Sequence, residues 1–316
     1  MKRKRIKAAV CAAVMAFTLF GSLCPVDYHF MRETSVTASA EAAIWDGTED
    51  TSWYYREHDV VVSENGERIA IFNIRTAEEL AGLAKLVRNG NNMKNTMINL
   101  VSDVTLNDTT NFDNWDEQPP ANNWTAIGAV PIEAPNVNVV MTIQPECRNT
   151  VFAGMFNGNG HTISGMYSLH HNYAGLFART SGIITNVIVK DSYIQCINTQ
   201  KVESGDTALW EACAGGITAI CDRGVISHCE FDGKIFASGL NQVGYGTHGS
   251  FAGGIVGKFS DDESGVAAVV MMFALVPAGF LINPALFLTA SGQQVITDPG
   301  IYSCINRGSI YTEHGT

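Results

Sequence analysis

The sequence predicts an all-β repeat protein, a solenoid of short stacked strands with one α-helix near its N-terminus. Three observations carry that expectation. An apolar phrase recurs at nearly equal intervals: Ala174-Gly175-Leu176-Phe177-Ala178 returns as Ala214-Gly215-Gly216-Ile217-Thr218 and as Ala252-Gly253-Gly254-Ile255-Val256. A second phrase trails it: Gly182-Ile183-Ile184-Thr185-Asn186-Val187, then Gly224-Val225-Ile226-Ser227-His228-Cys229, and finally Ile301-Tyr302-Ser303-Cys304. Third, 30 glycines and a charged fraction of only 16% suit many short strands joined by tight turns. Each phrase offers three or four apolar side chains at alternate positions, too few to bury a face alone. Strands stacked about 4.8 Å apart pair above and below while alternate side chains fill a shared core. In that arrangement Val187, Cys229 and Cys304 occupy one inward position.

At the N-terminus, Lys2, Arg3, Lys4, Arg5 and Lys7 precede an uncharged run from Ala8 to Leu23. Ala38-Ser39-Ala40 has the small residues that signal peptidase accepts. Residues 1–40 therefore read as a signal peptide cleaved near Ala40, which predicts a secreted or cell-surface protein. An uncleaved membrane anchor is the alternative. Cys24 follows Gly21-Ser22-Leu23 and lacks the small residue that lipidation needs just before the cysteine. Residues 1–40 hold six of the 20 basic and two of the 31 acidic residues. The net charge of −11 thus becomes −15 from Glu41 onward, with 14 basic against 29 acidic residues. That balance argues against nucleic acid, anionic lipid and acidic polysaccharide as partners. Six cysteines remain after cleavage: Cys147, Cys196, Cys213, Cys221, Cys229 and Cys304. An even count in an exported chain permits disulfides. Their spacing follows the repeat instead, as expected of buried thiols packed as small hydrophobes.

Residues 41–150 read as an N-terminal capping region with the first coils. Ile44-Trp45, Ser52-Trp53-Tyr54-Tyr55 and Asp59-Val60-Val61-Val62 are short extended runs between polar turns, and Ile69–Ile74 is a strand. Thr76-Ala77-Glu78-Glu79 is a capping box. Leu80, Leu83, Ala84 and Val87 then form one apolar stripe, and Asn89-Gly90 ends the helix, placing it at about 77–88. Such a helix can cover the open edge of a stack of strands. Ile98–Leu100 and Val104–Leu106 read as strands. Asn107–Asn123 is a polar loop in which Asp113, Asp116 and Glu117 lack a regular calcium-loop spacing. Trp115 and Trp124 are expected to pack against the stack rather than to stack on sugars.

Residues 151–316 carry the repeats. Asn157-Gly158 and Asn159-Gly160 supply two consecutive turns, and Thr162-Ile163 opens a new strand. His161 reads as a turn or strand-start residue. Val266–Ala290 interrupts the pattern with an uncharged run, long enough to span a bilayer but broken by Pro277, Gly279, Asn283 and Pro284. The interval from Cys229 to Cys304 is close to two repeat periods, so a degenerate repeat or an insertion is expected between them. A membrane segment or a partner-binding flap remain open readings. The chain stops at Thr316 in mid-repeat with no Leu-Pro-x-Thr-Gly sorting motif, the pattern expected of a fragment or of an end covered by a partner.

No motif for chemistry emerges. Gly244-Tyr245-Gly246-Thr247-His248-Gly249 fits a phosphate-loop pattern but lacks the strand-to-helix context. Cys213, Cys221 and Cys229 are spaced by eight, unlike a zinc pair, and His228 and Cys229 point to opposite faces of a strand. No Gly-x-Ser-x-Gly occurs. Asp222-Arg223 and Glu230-x-Asp232 are the nearest charged neighbours and read as solvent-facing decoration. No catalytic residue, metal ligand or cofactor is assigned, and the ligand-binding residues are unknown.

Phe-x-Gly-x-Phe-Asn-Gly-Asn-Gly-His-Thr-Ile-Ser-Gly (Phe152–Gly165), Ala-Gly-Leu-Phe (Ala174–Phe177) and the Gly-Gly-Ile phrases resemble bacterial surface proteins with GLUG-type repeats. Thr76–Ala84 and the Trp-x-x-Ile-Gly phrase at Trp124–Gly128 are similar to segments of the same proteins. The resemblance covers about residues 45–260 and 300–311. It implies a right-handed parallel β-helix on a secreted or wall-associated bacterial protein, often an adhesin or stalk, with no catalytic residues. Immunoglobulin-cleaving relatives carry His-Glu-x-x-His, which is absent here. The expected function is a non-catalytic cell-surface scaffold that contacts a host or bacterial glycan or protein. The alternative is a carbohydrate-active β-helix enzyme of the polysaccharide lyase or glycoside hydrolase type, which needs convergent carboxylates.

Overall fold

The computed structural model describes residues 43–63, 66–129, 151–198, 212–240, 250–260 and 299–315. The expectations for residues 1–40, Cys147, 244–249 and 266–290 lie outside them. The described chain is mostly β, with one α-helix and sheets of largely parallel strands. Strands β1 (Asp59–Val62) and β2 (Arg68–Ile74) make an antiparallel pair. Helix α1 (Ala77–Arg88), β3 (Thr96–Leu100) and β4 (Val104–Thr105) follow. After the polar loop come β5 (Met155–Asn157), β6 (Thr162–Ser164), β7 (Tyr167–His170), β8 (Tyr173–Ala174) and β9 (Phe177–Thr180). The cycle recurs as β10 (Ile183–Thr185), β11 (Ile188–Asn198), β12 (Ala212–Gly215) and β13 (Thr218–Asp222). It recurs again as β14 (Val225–Ser227), β15 (Glu230–Leu240), β16 (Ser250–Gly253) and β17 (Val256–Ser260). The last elements are β18 (Gly300–Tyr302), β19 (Ile305–Asn306) and β20 (Ser309–Gly315).

Each strand pairs in parallel with its counterpart in the next cycle, which gives four ladders. In the first, the register aligns Phe72, Ile98, Phe156, Ile184, Ile226 and Ile301. The first five are buried, so one apolar column runs through the core. In the second, Val104, Ile163, Val189 and Phe231 do the same. Ala174, Ala214 and Ala252 align in the third, and Thr180, Cys221 and Phe259 in the fourth. The Trp124–Gly128 phrase supplies the preceding rung: Ile127 bridges Phe177, and the Trp124 N–H donates to the Tyr167 carbonyl.

A polar column flanks the apolar one. Asn73, Asn99 and Asn157 are in register, and each later amide donates to the one before it, at 3.2 and 3.4 Å. Thr185 and Ser227 continue the column with a hydroxyl contact at 3.2 Å. Alternation thus sends one side chain inward and pairs the next with its own kind.

The corners rest on a feature other than glycine. Asn186, His228 and Ser303 each hold a left-handed φ between the first and second ladders, at 52°, 52° and 51°. The residue after each is Val187, Cys229 or Cys304, so the turn aims that side chain at the core as expected. Asn157 accepts from Asn186 at 3.1 Å and ties this corner to the polar column. The repeat glycines answer close approach instead. A Cβ on Gly215 or Gly253 would fall against the carbonyl of Thr218 or Val256, well inside van der Waals contact. Each carbonyl lies three residues on in the same corner, so the glycine is what lets the chain turn that tightly.

Helix α1 has the expected bounds, with Leu80, Leu83, Ala84 and Val87 buried. The Thr76 hydroxyl accepts from the Glu79 amide at 3.2 Å. Glu79 reaches back one residue further than a capping box requires, accepting from the Arg75 N–H at 2.8 Å and pairing with Arg56. Residues Ser52–Tyr55 form a 3-10 turn, not the extended run their composition suggested, because Trp53 turns inward and donates to the Glu79 carbonyl at 3.0 Å. Among the described residues no helix is long and apolar enough to cross a membrane.

Although the interval from Cys229 to Cys304 is close to two repeat periods in sequence, the two cysteines lie on directly paired rungs. β14 pairs directly with β18, and β15 with β19 and β20. Among the described residues no rung separates them, which agrees with the insertion reading of this interval. In sequence, 261–299 separate β17 from β18, whereas Ser181-Gly182 separate β9 from β10 and Arg223-Gly224 separate β13 from β14.

Two outcomes follow from this packing. Phe156→Ala should cost about 3–5 kcal/mol, because its fully buried ring packs on Phe177 at 5.5 Å and the fixed rung spacing hinders collapse of the cavity. Chemical denaturation measures it. Glu49 loses solvent by burial, which raises its pKa, yet hydrogen bonds and charge from Arg88 and Lys85 bring the net value below the ordinary one. A depressed folded-state pKa contributes stability that is present above the unfolded value and lost as pH falls through the folded value. Glu49→Gln should therefore destabilise by about 1 kcal/mol at neutral pH and by much less in acid, read from unfolding curves across pH.

Candidate functional site

The register of the stack builds two concavities on the described surface. The larger, about 520 Å³, lies under the loop that follows β4. The Ile44–Thr105 bridge and the Trp45 N–H to Thr105 carbonyl bond, at 2.9 Å, bring Ile44 and Trp45 beside this loop. Buried Asn107 anchors it: Nδ2 donates to the carbonyls of Asn122 and Gly165, both at 2.9 Å, and Oδ1 accepts from the Asn122 N–H at 3.0 Å. Asn122 in turn donates to the carbonyl of Trp45 at 2.7 Å. These bonds fold residues 107–122 into a closed loop whose ends meet at one amide pair.

The walls combine apolar and amide groups. Trp45, Trp115, Pro119 and Pro120 form one part; Asn111 and Gln118 lie at the other, with Asn111 Nδ2 donating to Gln118 Oε1 at 3.4 Å. Asp108 lies at the exposed rim, its carboxyl held below the usual range by hydrogen bonds from Thr110. Uncharged amides beside proline surfaces suit a hydroxyl-bearing, uncharged ligand, since amides both donate and accept.

The outer side of the loop is clamped by aromatics. Tyr167 and Tyr193 are in register and stack at 5.7 Å, with Trp115 edge-on to Tyr167 at 6.1 Å. Lys234 lies 5.2 Å from the centre of the Phe112 ring and donates to the Asp113 carbonyl at 2.9 Å. Burial raises both phenol pKa values; for Tyr193 the charge of Asp116 adds to it. Trp115 and Trp124 are buried, at 2% and 1% exposure, so both indoles pack against the stack as the sequence implied. Trp124 stands edge-on to Trp45 at 5.8 Å.

The second concavity, about 200 Å³, follows the left-handed corner past Gly160, Asn186, His228 and Ser303. Glu230, which also lines it, is held by Arg307 at 2.8 Å. His161, at the start of β6, stands 3.1 Å from Asp103. Asp222 pairs with Arg179 on the adjacent rung. Among the described residues, no three His, Cys, Asp or Glu side chains gather as a metal-binding group. Cys221 is buried with its thiol pushed up to about 12 by desolvation, Cys213 packs beside Ala219 and Ile220, and His228 is exposed while Cys229 is buried. The three cysteines are therefore not brought together.

The recess was not legible in the sequence. Asn107–Asn123 reads only as a polar loop, and Ile44 and Trp45 join it through a bridge to Thr105, far along the chain. Asn107→Ala should cost about 2–3 kcal/mol, because it strips partners from the Asn122 and Gly165 groups it satisfies. Unfolding curves and faster proteolysis within residues 107–122 would register the loss. Comparison of the chain with protein-family models, with curated proteins and with solved structures found no match.

Proposed function

We propose that this chain is an exported bacterial cell-surface scaffold of the GLUG-repeat type. Its four ladders are read as faces of a right-handed parallel β-helix, with α1 as the N-terminal cap. Right-handedness rests on the strong preference of parallel crossover connections. Export rests on the signal-like residues 1–40 and the compartment they imply.

The observation that carries a non-catalytic reading is where the register sends the carboxylates. Asp222, Glu230, Asp103 and Glu49 each stand against a basic or imidazole group on another segment. Glycoside chemistry needs two carboxyl groups about 5–10 Å apart across one substrate. A carbohydrate-active enzyme remains the second reading, favoured only by the amide-lined recess near Trp115. In the scaffold reading that recess and the surrounding loop contact a glycan or a protein. The negative charge of the chain disfavours acidic glycans there.

The test uses the full-length chain in cells for export and the purified chain for glycan binding. Protease shaving of intact cells should remove it from the surface, and N-terminal sequencing should start at Glu41. On an array of neutral and acidic glycans it should retain a subset of neutral ones without releasing product. Turnover of any bound glycan would replace the scaffold reading with the enzyme; a cytoplasmic, uncleaved chain would overturn both.

A further inference from the structure

The corner that joins β14 to β15 stacks on the one that joins β18 to β19, and it sets two cysteines one above the other. Ser227 pairs with Tyr302 on one side of them and Glu230 with Ile305 on the other. Cys229 and Cys304 are thus in register on adjacent parallel rungs, about 4.8 Å apart at Cα by the spacing of such strands. A disulfide accepts Cα separations of about 4.4–6.8 Å. The Cys229 N–H points at Cys304 Sγ, 3.5 Å away. Both thiols take the same orientation. Cys229 Sγ lies 3.3 Å from the Ser227 carbonyl oxygen, and Cys304 Sγ lies 3.3 Å from that of Tyr302. The other described cysteines lack this arrangement. Cys196 is in register with His170 and Ala237, Cys213 with Tyr173 and Phe251, and Cys221 with Thr180 and Phe259.

We propose that Cys229 and Cys304 form a cross-linking site that closes to a disulfide by exchange with a small-molecule disulfide, fastening β18 and β19 onto β14 and β15. The site matters because of what lies between. The joint from β17 to β18 takes residues 261–299, where Ser181-Gly182 and Arg223-Gly224 suffice for its counterparts. Returning the chain to the stack after so long an excursion carries a loop-closure cost, which a cross-link between two positions so far apart in the chain removes from the unfolded state.

The exchange has two steps. The Cys304 thiolate attacks one sulfur of the reagent disulfide, forming a mixed disulfide and releasing one thiolate. Cys229 then gives up its proton and attacks Cys304 Sγ, releasing the second. Two protein thiols are oxidised to one disulfide, the reagent is reduced to two thiols, and no further oxidant is needed. The order follows from position. Cys304 is partly exposed, whereas Cys229 is 1% exposed. A hydrogen bond from the Cys229 thiol holds Cys304 below the ordinary thiol range, and burial holds Cys229 well above it.

The experiment incubates the folded chain from Glu41 onward with oxidised glutathione, quenches with acid, then denatures and alkylates. Tandem mass spectrometry should find one linked peptide pair, Cys229 with Cys304, lighter by two hydrogens. The melting temperature should rise by about 10 °C on oxidation and fall back on reduction. Cys304→Ser should fold, melt near the reduced protein and show no oxidation-dependent rise. Three results would each overturn the proposal: both cysteines fully alkylated after native oxidation, Cys304 halted as a mixed disulfide with glutathione, or a disulfide joining another pair.

Discussion

Parallel pairing between one rung and the next is the interaction on which the rest of this molecule depends. A single cycle such as β10 to β13 has no face broad enough to bury by itself. Ile184 leaves water only because Phe156 lies in register on one side and Ile226 on the other. The backbone bonds that hold the register and the apolar column that gains from it are therefore one cooperative unit. A slip of one residue would turn Phe156 outward and Asn157 inward, losing the apolar column and the amide column together.

Close stacking also dictates what the corners can contain. Where the chain turns at Gly215 and Gly253, a Cβ has no room against the carbonyl three residues on. Where the chain turns between the first two ladders, an Asn, His or Ser takes the left-handed conformation and the following residue points inward. The cost of that conformation for a residue with a side chain is offset at Asn186 by its bond to Asn157. Gly215 and Gly253 answer to a carbonyl three residues on in their own corner, whereas Asn186 is satisfied by a residue of another cycle.

The outer surface inherits the same order. Tyr167 and Tyr193 stack because their strands are paired, and that pair receives Trp115 and the loop that carries it. The loop, closed by Asn107 and Asn122, then bounds the recess with Trp45. The same stacking distributes charge. Arg179 meets Asp222, and Arg307 meets Glu230, across rungs rather than along the sequence. Thiol placement follows too: a corner repeated on two rungs puts Cys304 over Cys229.

Much of this was legible in the sequence, where the signal was local. Thr76 and the stripe from Leu80 to Val87 specify helix α1, because capping and helical periodicity act over a few turns of chain. The recurring Ala-Gly-x-x phrases specify strands that align, because equivalent phrases bury equivalent residues. Packing of Trp115 and Trp124 was likewise expected from their setting. The tertiary structure alone decided the rest. Trp53 turned a β-looking run into a 3-10 turn because its partner carbonyl is on the helix. The long sequence interval between Cys229 and Cys304 became a single rung because strand pairing measures distance in space, and a long excursion between paired strands leaves no mark on their register. The recess was invisible for the same reason: its walls come from residues near 45 and near 115, and only the bridge between Ile44 and Thr105 makes them neighbours.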